Sequence, residues 1–253
     1  MGKYSGILLC SDFDGTLSYE GKISDENKRA IKAFTDEGGL FTVASGRYYS
    51  YLLPFLEGLD INAPLITLNG AVLYDMDKAS VVAESFTKGL TQEYISKIFD
   101  EVEGIERIIF YMKDEMPSFT PAEKSRVGEL DLSGVYKIMV RVENDKEVSR
   151  RAINKIKSFT PDTFEVARSW YWGIEVQSIE CTKAPATREL ARIVGANTLV
   201  CVGDFENDIG MIREADIGYA VENSADALLA VADRITVSVE DHAIAKIIED
   251  LAR

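Results

Sequence analysis

The sequence predicts a doubly wound, Rossmann-like α/β core on a parallel sheet, interrupted by one compact α+β module. Three observations carry this expectation. Short, wholly apolar runs alternate with helical patterns at the start of the chain. The same rhythm returns from residue 182 to the end. The stretch between them departs from it.

The elements follow in order. Ile7-Leu8-Leu9-Cys10 is apolar at every position, as a strand covered on both faces requires. Ser24 is placed to cap a helix, with Asp25 and Glu26 in the first turn where the helix dipole favours acids. Ala30, Ile31 and Phe34 keep helical spacing until Gly38-Gly39 stops it. Leu40 to Ala44 reads as the second strand. Tyr48 to Leu56 reads as a helix with Pro54 as its kink or stop, and Leu65 to Leu68 as the third strand. This alternation predicts parallel pairing with right-handed crossovers. Beyond the module, Thr182 to Val194 reads as a helix that tolerates Pro185 in its first turn. Then come a strand (Thr198 to Val202), a short helix (Asn207 to Arg213), a short strand (Ile217 to Val221) and helices over Ala225 to Val231 and Asp241 to Leu251.

The middle reads as a helix (Gln92 to Glu101), a strand (Arg107 to Met112), an alternating strand (Val135 to Val142), a helix (Lys146 to Phe159) and two strands ending near Gln177. Met116-Pro117 and Thr120-Pro121 read as loops. The cluster Trp170-Tyr171-Trp172 suits hairpin packing. The expected boundaries are therefore 1–83 and 182–253 for the core and 84–181 for the insert, with a largely antiparallel sheet in the insert. Residues 84–181 hold 14 Lys and Arg against 18 Asp and Glu, so −10 of the net −14 lies in the flanks.

Composition bounds the function. The chain has 253 residues, 46% of them hydrophobic and 28% charged, which are globular proportions. The acidic balance weighs against a nonspecific nucleic-acid binder and against docking on anionic lipid. No apolar run approaches the ~20 residues of a membrane span. The start lacks the pattern of a signal peptide, so a cytoplasmic location is expected. Cys10, Cys181 and Cys201 form no Cys-x-x-Cys, and Cys10 and Cys201 sit in apolar runs as small core residues. The single histidine, His242, excludes a His-rich metal site and reads as a surface or cap residue.

In an open parallel sheet, ligands bind beyond the C-terminal ends of the strands. The first strand is followed by Ser11-Asp12-Phe13-Asp14-Gly15-Thr16-Leu17 and the second by Ser45-Gly46-Arg47. The third is followed by Asn69-Gly70, and the late strand by Gly203-Asp204-Phe205-Glu206-Asn207-Asp208. Any one of these aspartates could be a turn or cap residue. Four gathered at one sheet edge repel one another and call for a cation, and hard oxygen donors favour Mg²⁺.

These residues resemble the motifs of the haloacid dehalogenase (HAD) superfamily. Asp12-x-Asp14-Gly15-Thr16-Leu17 is similar to its first motif and Ser45 to its second. Lys183 is similar to its third, and Gly203-Asp204-x-x-Asn207-Asp208 to its fourth. Their order and the position of the insert resemble the Cof-type, subclass IIB phosphatases, whose cap domain follows the second motif. A Gly often follows the third-motif Lys in that family; here Ala184-Pro185 stands instead. The resemblance implies catalytic roles for Asp12 (nucleophile), Asp14 (general acid and base), Ser45 and Lys183. It implies Mg²⁺ held by Asp12, Asp14 (through its backbone carbonyl), Asp204 and Asp208, and substrate contacts from Gly46, Arg47, Asn69 and Asn207.

The function expected is a Mg²⁺-dependent phosphomonoesterase for small phosphorylated metabolites, working through an aspartyl-phosphate. Sugar phosphates lead by resemblance; phosphoglycolate-like acids, nucleotides and a cofactor phosphate stay open. A phosphomutase, or a non-catalytic sensor of a phosphorylated metabolite, are the alternatives. The oligomeric state is left open by the sequence.

Overall fold

The computed structural model describes residues 2–252. In chain order the elements are β1 (Ile7–Asp12), α1 (Asp25–Asp36), β2 (Leu40–Ala44), α2 (Tyr49–Leu52), β3 (Leu65–Thr67), β4 (Val72–Asp75) and β5 (Ser80–Glu84). Then follow α3 (Gln92–Glu101), β6 (Ile105–Met112), β7 (Ser118–Phe119), β8 (Val135–Val142), α4 (Lys146–Phe159), β9 (Phe164–Trp170) and β10 (Gly173–Ser178). The chain closes with α5 (Lys183–Val194), β11 (Thr198–Gly203), α6 (Ile209–Glu214), β12 (Ile217–Ala220), α7 (Asp226–Leu229), β13 (Arg234–Ile235) and α8 (Ala243–Leu251). It divides into two compact units. One holds the chain up to Glu84 and from Lys183 onward; the other is Ser85–Thr182.

The first unit is built on an eight-stranded sheet ordered β13-β12-β11-β1-β2-β3-β4-β5. Its strands are parallel from β13 through β3, and the β3–β4 and β4–β5 pairs are antiparallel. The order reverses at β1, which lies between β11 and β2, so the C-terminal ends of these three strands open on one crevice. The apolar runs of β1 and β11 are covered on both faces: Leu9 and Val200 belong to one core, Leu8 and Cys10 to another.

Helix α1 starts where expected, with the Ser24 side chain accepting the Asn27 N–H. It buries Ile31 and Phe34 and packs on α8. Asn27 Oδ1 accepts the Ala245 N–H at 3.0 Å, which supplies a partner near the start of α8 where His242 provides no side-chain cap. His242 itself adopts a left-handed conformation with φ +65°.

Several expectations need correction. The expected Tyr48 to Leu56 helix is a single α turn followed by a 3-10 turn (Leu53–Phe55), because Pro54 has no N–H to continue an α pattern. The hairpin β4–β5 was not anticipated. All of β5 is exposed, so no burial period marks it. Residues 207–213 begin as a 3-10 turn (Glu206–Asp208) before α6, and α7 spans four residues only.

The second unit has a five-stranded antiparallel sheet ordered β7-β6-β8-β10-β9 around its own core. The two Pro-containing stretches are not plain loops. Ser118–Phe119 pairs as β7, and Pro121–Glu129 forms a 3-10 segment with a capping box between Thr120 and Glu123. Trp170 ends β9 and Gly173 begins β10, with Tyr171 and Trp172 in the turn of the hairpin. Strand β8 was expected to alternate, yet Val135 to Val140 is buried on both faces. Its Lys137 is fully buried and ion-paired to Glu175 of β10. All three cysteines are free and buried.

Candidate active site

Asp12 ends β1 and is buried. Lys183, the first residue of α5, reaches it: Nζ donates to Asp12 Oδ1 at 2.5 Å and to Asp208 Oδ1 at 2.7 Å. Asp208 spends its other oxygen on the backbone, accepting the Asp204 N–H at 3.1 Å and the Phe205 N–H at 3.3 Å. It thereby ties the turn after β11 to Lys183. Carboxylate oxygens of Asp12, Asp204 and Asp208 all lie within 4.8 Å of one another.

Two glycines make this approach feasible. Gly15 has φ +84°, and a Cβ there would fall 2.5 Å from Asp204 Oδ2. A Cβ on Gly203 would fall 2.5 Å from Asp208 Cγ. Thr16 Oγ1 donates to Asp204 Oδ1 at 3.1 Å, and Asn223 Nδ2 donates to the Gly15 carbonyl at 2.9 Å. Asn223 lies outside every motif, so the sequence offered no signal for it. Its Oδ1 also accepts the Val239 N–H.

The electrostatics follow from crowding and burial. Burial pushes the Asp12 carboxyl up, Lys183 pulls it back, and Asp208 and Asp204 push it up again. Burial raises Asp204 to about 7, with Asp208 adding to the effect and Lys183 opposing it. Burial works against the charge of Lys183, but Asp12 and Asp208 outweigh it and the ammonium is held. Three carboxyls thus face one ammonium. That donor set of hard oxygens, short of positive charge, fits a bound metal ion.

The turn after β2, the strand paired with β1 where Asp12 lies opposite Ala44, is fixed by hydrogen bonds. Ser45 is buried; its N–H donates to the Ile66 carbonyl and its Oγ accepts the Arg47 N–H at 3.2 Å, which leaves the hydroxyl hydrogen as a donor. The Leu68 N–H donates to the Arg47 carbonyl and the Asn69 N–H to the Ser45 carbonyl. Leu68, Asn69 and Gly70 all have positive φ, which folds this stretch back onto the Ser45 turn. Asn69 Oδ1 accepts from Asn207 Nδ2 at 3.4 Å. Asp14 lies outside the buried carboxylate group. Its side chain is half exposed, and both oxygens accept from Arg47, Oδ2 from Nε at 2.8 Å and Oδ1 from Nη2 at 2.6 Å.

A switch-point crevice with an aspartate-bearing first strand, a buried lysine and a late acidic turn defines a phosphatase of the haloacid dehalogenase type. The chain belongs to the family: the model for haloacid dehalogenase-like hydrolases matches residues 9–248. Similar curated proteins include the 5-amino-6-(5-phospho-D-ribitylamino)uracil phosphatase YcsE of Bacillus subtilis, 26% identical over 95% of this chain and 94% of that protein. Another is YitU of the same organism and description, 22% identical over 96% of each. Among solved structures, a haloacid dehalogenase-like hydrolase from B. subtilis superposes with a TM-score of 0.77 at 21% identity, covering 96% of this chain and 98% of that one. The HAD subclass IIB sugar phosphatase BT4131 superposes with a TM-score of 0.73 at 22% identity, with the same coverage. These likenesses establish the fold.

Proposed function

We propose that this phosphatase is a Mg²⁺-dependent phosphomonoesterase of small phosphorylated metabolites, acting through a phosphorylated Asp12. The observation that carries the reading is the buried Lys183 ammonium bonded to Asp12 Oδ1, with Asp204 and Asp208 gathered beside it. Asp12, the Asp14 carbonyl and Asp204 would hold the metal. Asp208 serves chiefly to orient Lys183, since both its oxygens already accept hydrogen bonds. Bound Mg²⁺ supplies positive charge against the phosphoryl oxygens and balances the carboxylates.

In the first step a carboxylate oxygen of Asp12 attacks phosphorus while the bond from phosphorus to the leaving oxygen breaks. Asp14 gives its proton to that oxygen, so an alcohol departs. In the second step Asp14 takes a proton from water as the water oxygen attacks phosphorus. The bond to Asp12 breaks, and inorganic phosphate and the free carboxylate result. Negative charge on the equatorial oxygens is met by the Lys183 ammonium, the Ser45 hydroxyl and the Gly46 N–H. Asn69 and Asn207 complete the polar edge of the site.

The leaving group is open among sugar phosphates, phosphoglycolate-like acids and larger esters. The relatives that dephosphorylate a phosphoribitylamino-uracil favour a polyol phosphate in that range. The unit Ser85–Thr182 is the part we assign to choosing it, as a cap. The net charge of −14 supports reading the protein as a cytoplasmic enzyme that avoids nucleic acid and anionic lipid; among the described residues no helix is long and apolar enough to cross a membrane.

The test is direct. Asp12→Asn should abolish hydrolysis of p-nitrophenyl phosphate in the presence of Mg²⁺, and undiminished hydrolysis would remove the covalent mechanism. Product analysis separates the alternatives: free phosphate marks a phosphatase, a rearranged phosphosugar a mutase, and binding without turnover a sensor.

A further inference from the structure

We infer that Arg47 is the positioning residue for Asp14, holding the direction of its carboxyl through a guanidinium seated on two adjoining phenyl rings. The inference rests on the phosphatase reading above and assigns Arg47 to the acid–base group, not to the phosphate.

The geometry points this way at three levels. The Arg47 backbone is fixed at both ends of its peptide: its N–H donates to Ser45 Oγ and its carbonyl accepts from Leu68. Its guanidinium is then fixed in space, with Cζ 5.3 Å from the Phe13 ring centroid and 4.9 Å from that of Phe55. Finally, its two-pronged edge meets both oxygens of Asp14 at 2.8 and 2.6 Å. Gly21 lies against the Phe55 ring, where a Cβ would stand 3.2 Å away, so the turn after β1 leaves room for this platform.

Asp14 needs such an anchor. Its side chain is 54% exposed, and a carboxyl on a surface turn samples several rotamers. Proton transfer to a leaving oxygen requires one of them. A carboxyl that has taken a proton on one oxygen still accepts an Arg47 N–H on the other, so its O–H keeps a defined direction. After the proton has passed to the leaving alkoxide, both oxygens are again acceptors and the fork closes. The proton drawn from water in the second step reopens it. Arg47 exchanges no proton in this cycle. The prongs that face Asp14 are Nε and Nη2, the same edge that would otherwise grip a phosphate side-on.

The leaving group tests this. p-Nitrophenolate departs without a proton, whereas the alkoxide of glycerol 2-phosphate needs one. Turnover of both esters is to be measured with Mg²⁺ in the wild type, Arg47→Ala, Arg47→Lys, Asp14→Asn and the Asp14→Asn/Arg47→Ala double variant. In Arg47→Ala both rates should fall, and the ratio of alkyl to aryl turnover should fall about tenfold or more, in the direction set by Asp14→Asn. Arg47→Lys keeps the charge but not the fork, so its ratio should stay low. Adding Arg47→Ala to Asp14→Asn should not lower the ratio further.

A wild-type ratio in Arg47→Ala or in Arg47→Lys would overturn the inference and return Arg47 to the phosphate. So would a double variant whose ratio falls by the product of the single effects. Failure of the underlying reading looks different: the wild type would hydrolyse neither ester, and the inference would fall with it.

Discussion

Asp12, Asp204 and Asp208 concentrate negative charge where water is scarce, and this fixes how the protein should respond to pH and to cations. Burial raises Asp204 from 3.8 to about 7, and Asp12 shifts the same way. Between those limits the folded site holds a proton that the unfolded chain has released. Stability from this source is therefore present at acid pH and declines as pH rises through about 7. A divalent cation takes the place of that proton. Mg²⁺ should raise the unfolding temperature more at about pH 8 than at about pH 5.5, measured by differential scanning fluorimetry with and without EDTA. Equal shifts at the two pH values would mean that the acids do not form the cation's seat. At this scale much was visible from sequence: Asp12, Lys183, Asp204 and Asp208 follow strand ends or open a helix, and the fold brings them together. The Arg47–Asp14 fork was not visible, because side-chain pairing between two loops leaves no period or spacing. Phe55 and Asn223 escaped for the same reason: each acts through side-chain contacts between loops, Phe55 beneath Arg47 and Asn223 on the Gly15 carbonyl.

The elements that position these residues depend on a few polar contacts inside apolar layers. Asn27 is buried, and its carbonyl oxygen accepts the N–H of Ala245 at the start of α8. Asn27→Ala should lower stability by about 1–3 kcal/mol, because that N–H is left without its partner in a buried place. Urea denaturation followed by circular dichroism would measure the loss, and an unchanged midpoint would show that α1 and α8 hold together by apolar packing alone. Elements with a one-sided or two-sided apolar signature were legible: β1, α1, β2, α3, α4 and β11 fall within a residue of their expected bounds, apart from an extra residue or two at strand ends. Those governed by other physics were not. β5 is exposed on both faces, β7 has two residues, and the 3-10 segment from Pro121 is set by a capping box. In β8 the alternating pattern misled, because Lys137 reads as a solvent residue until its partner Glu175 is supplied by β10, 38 residues further along the chain.

On the scale of the molecule, the chain leaves the large sheet after β5, builds a second sheet and core, and comes back at Lys183. The inserted unit has its own buried cluster, and its two ends are tied together, with Cys181 Sγ 3.6 Å from the Phe86 carbonyl oxygen. Excised as residues 85–182, it should fold with a cooperative thermal transition followed by circular dichroism. A non-cooperative melt would show that its core needs the rest of the chain. The joined ends carry a further meaning. Entry and exit at one spot let this block be exchanged for another without altering the register of any strand in the large sheet. On the function proposed above, selection for a new diet of esters can act on the inserted unit while the chemistry built on the large sheet is inherited intact.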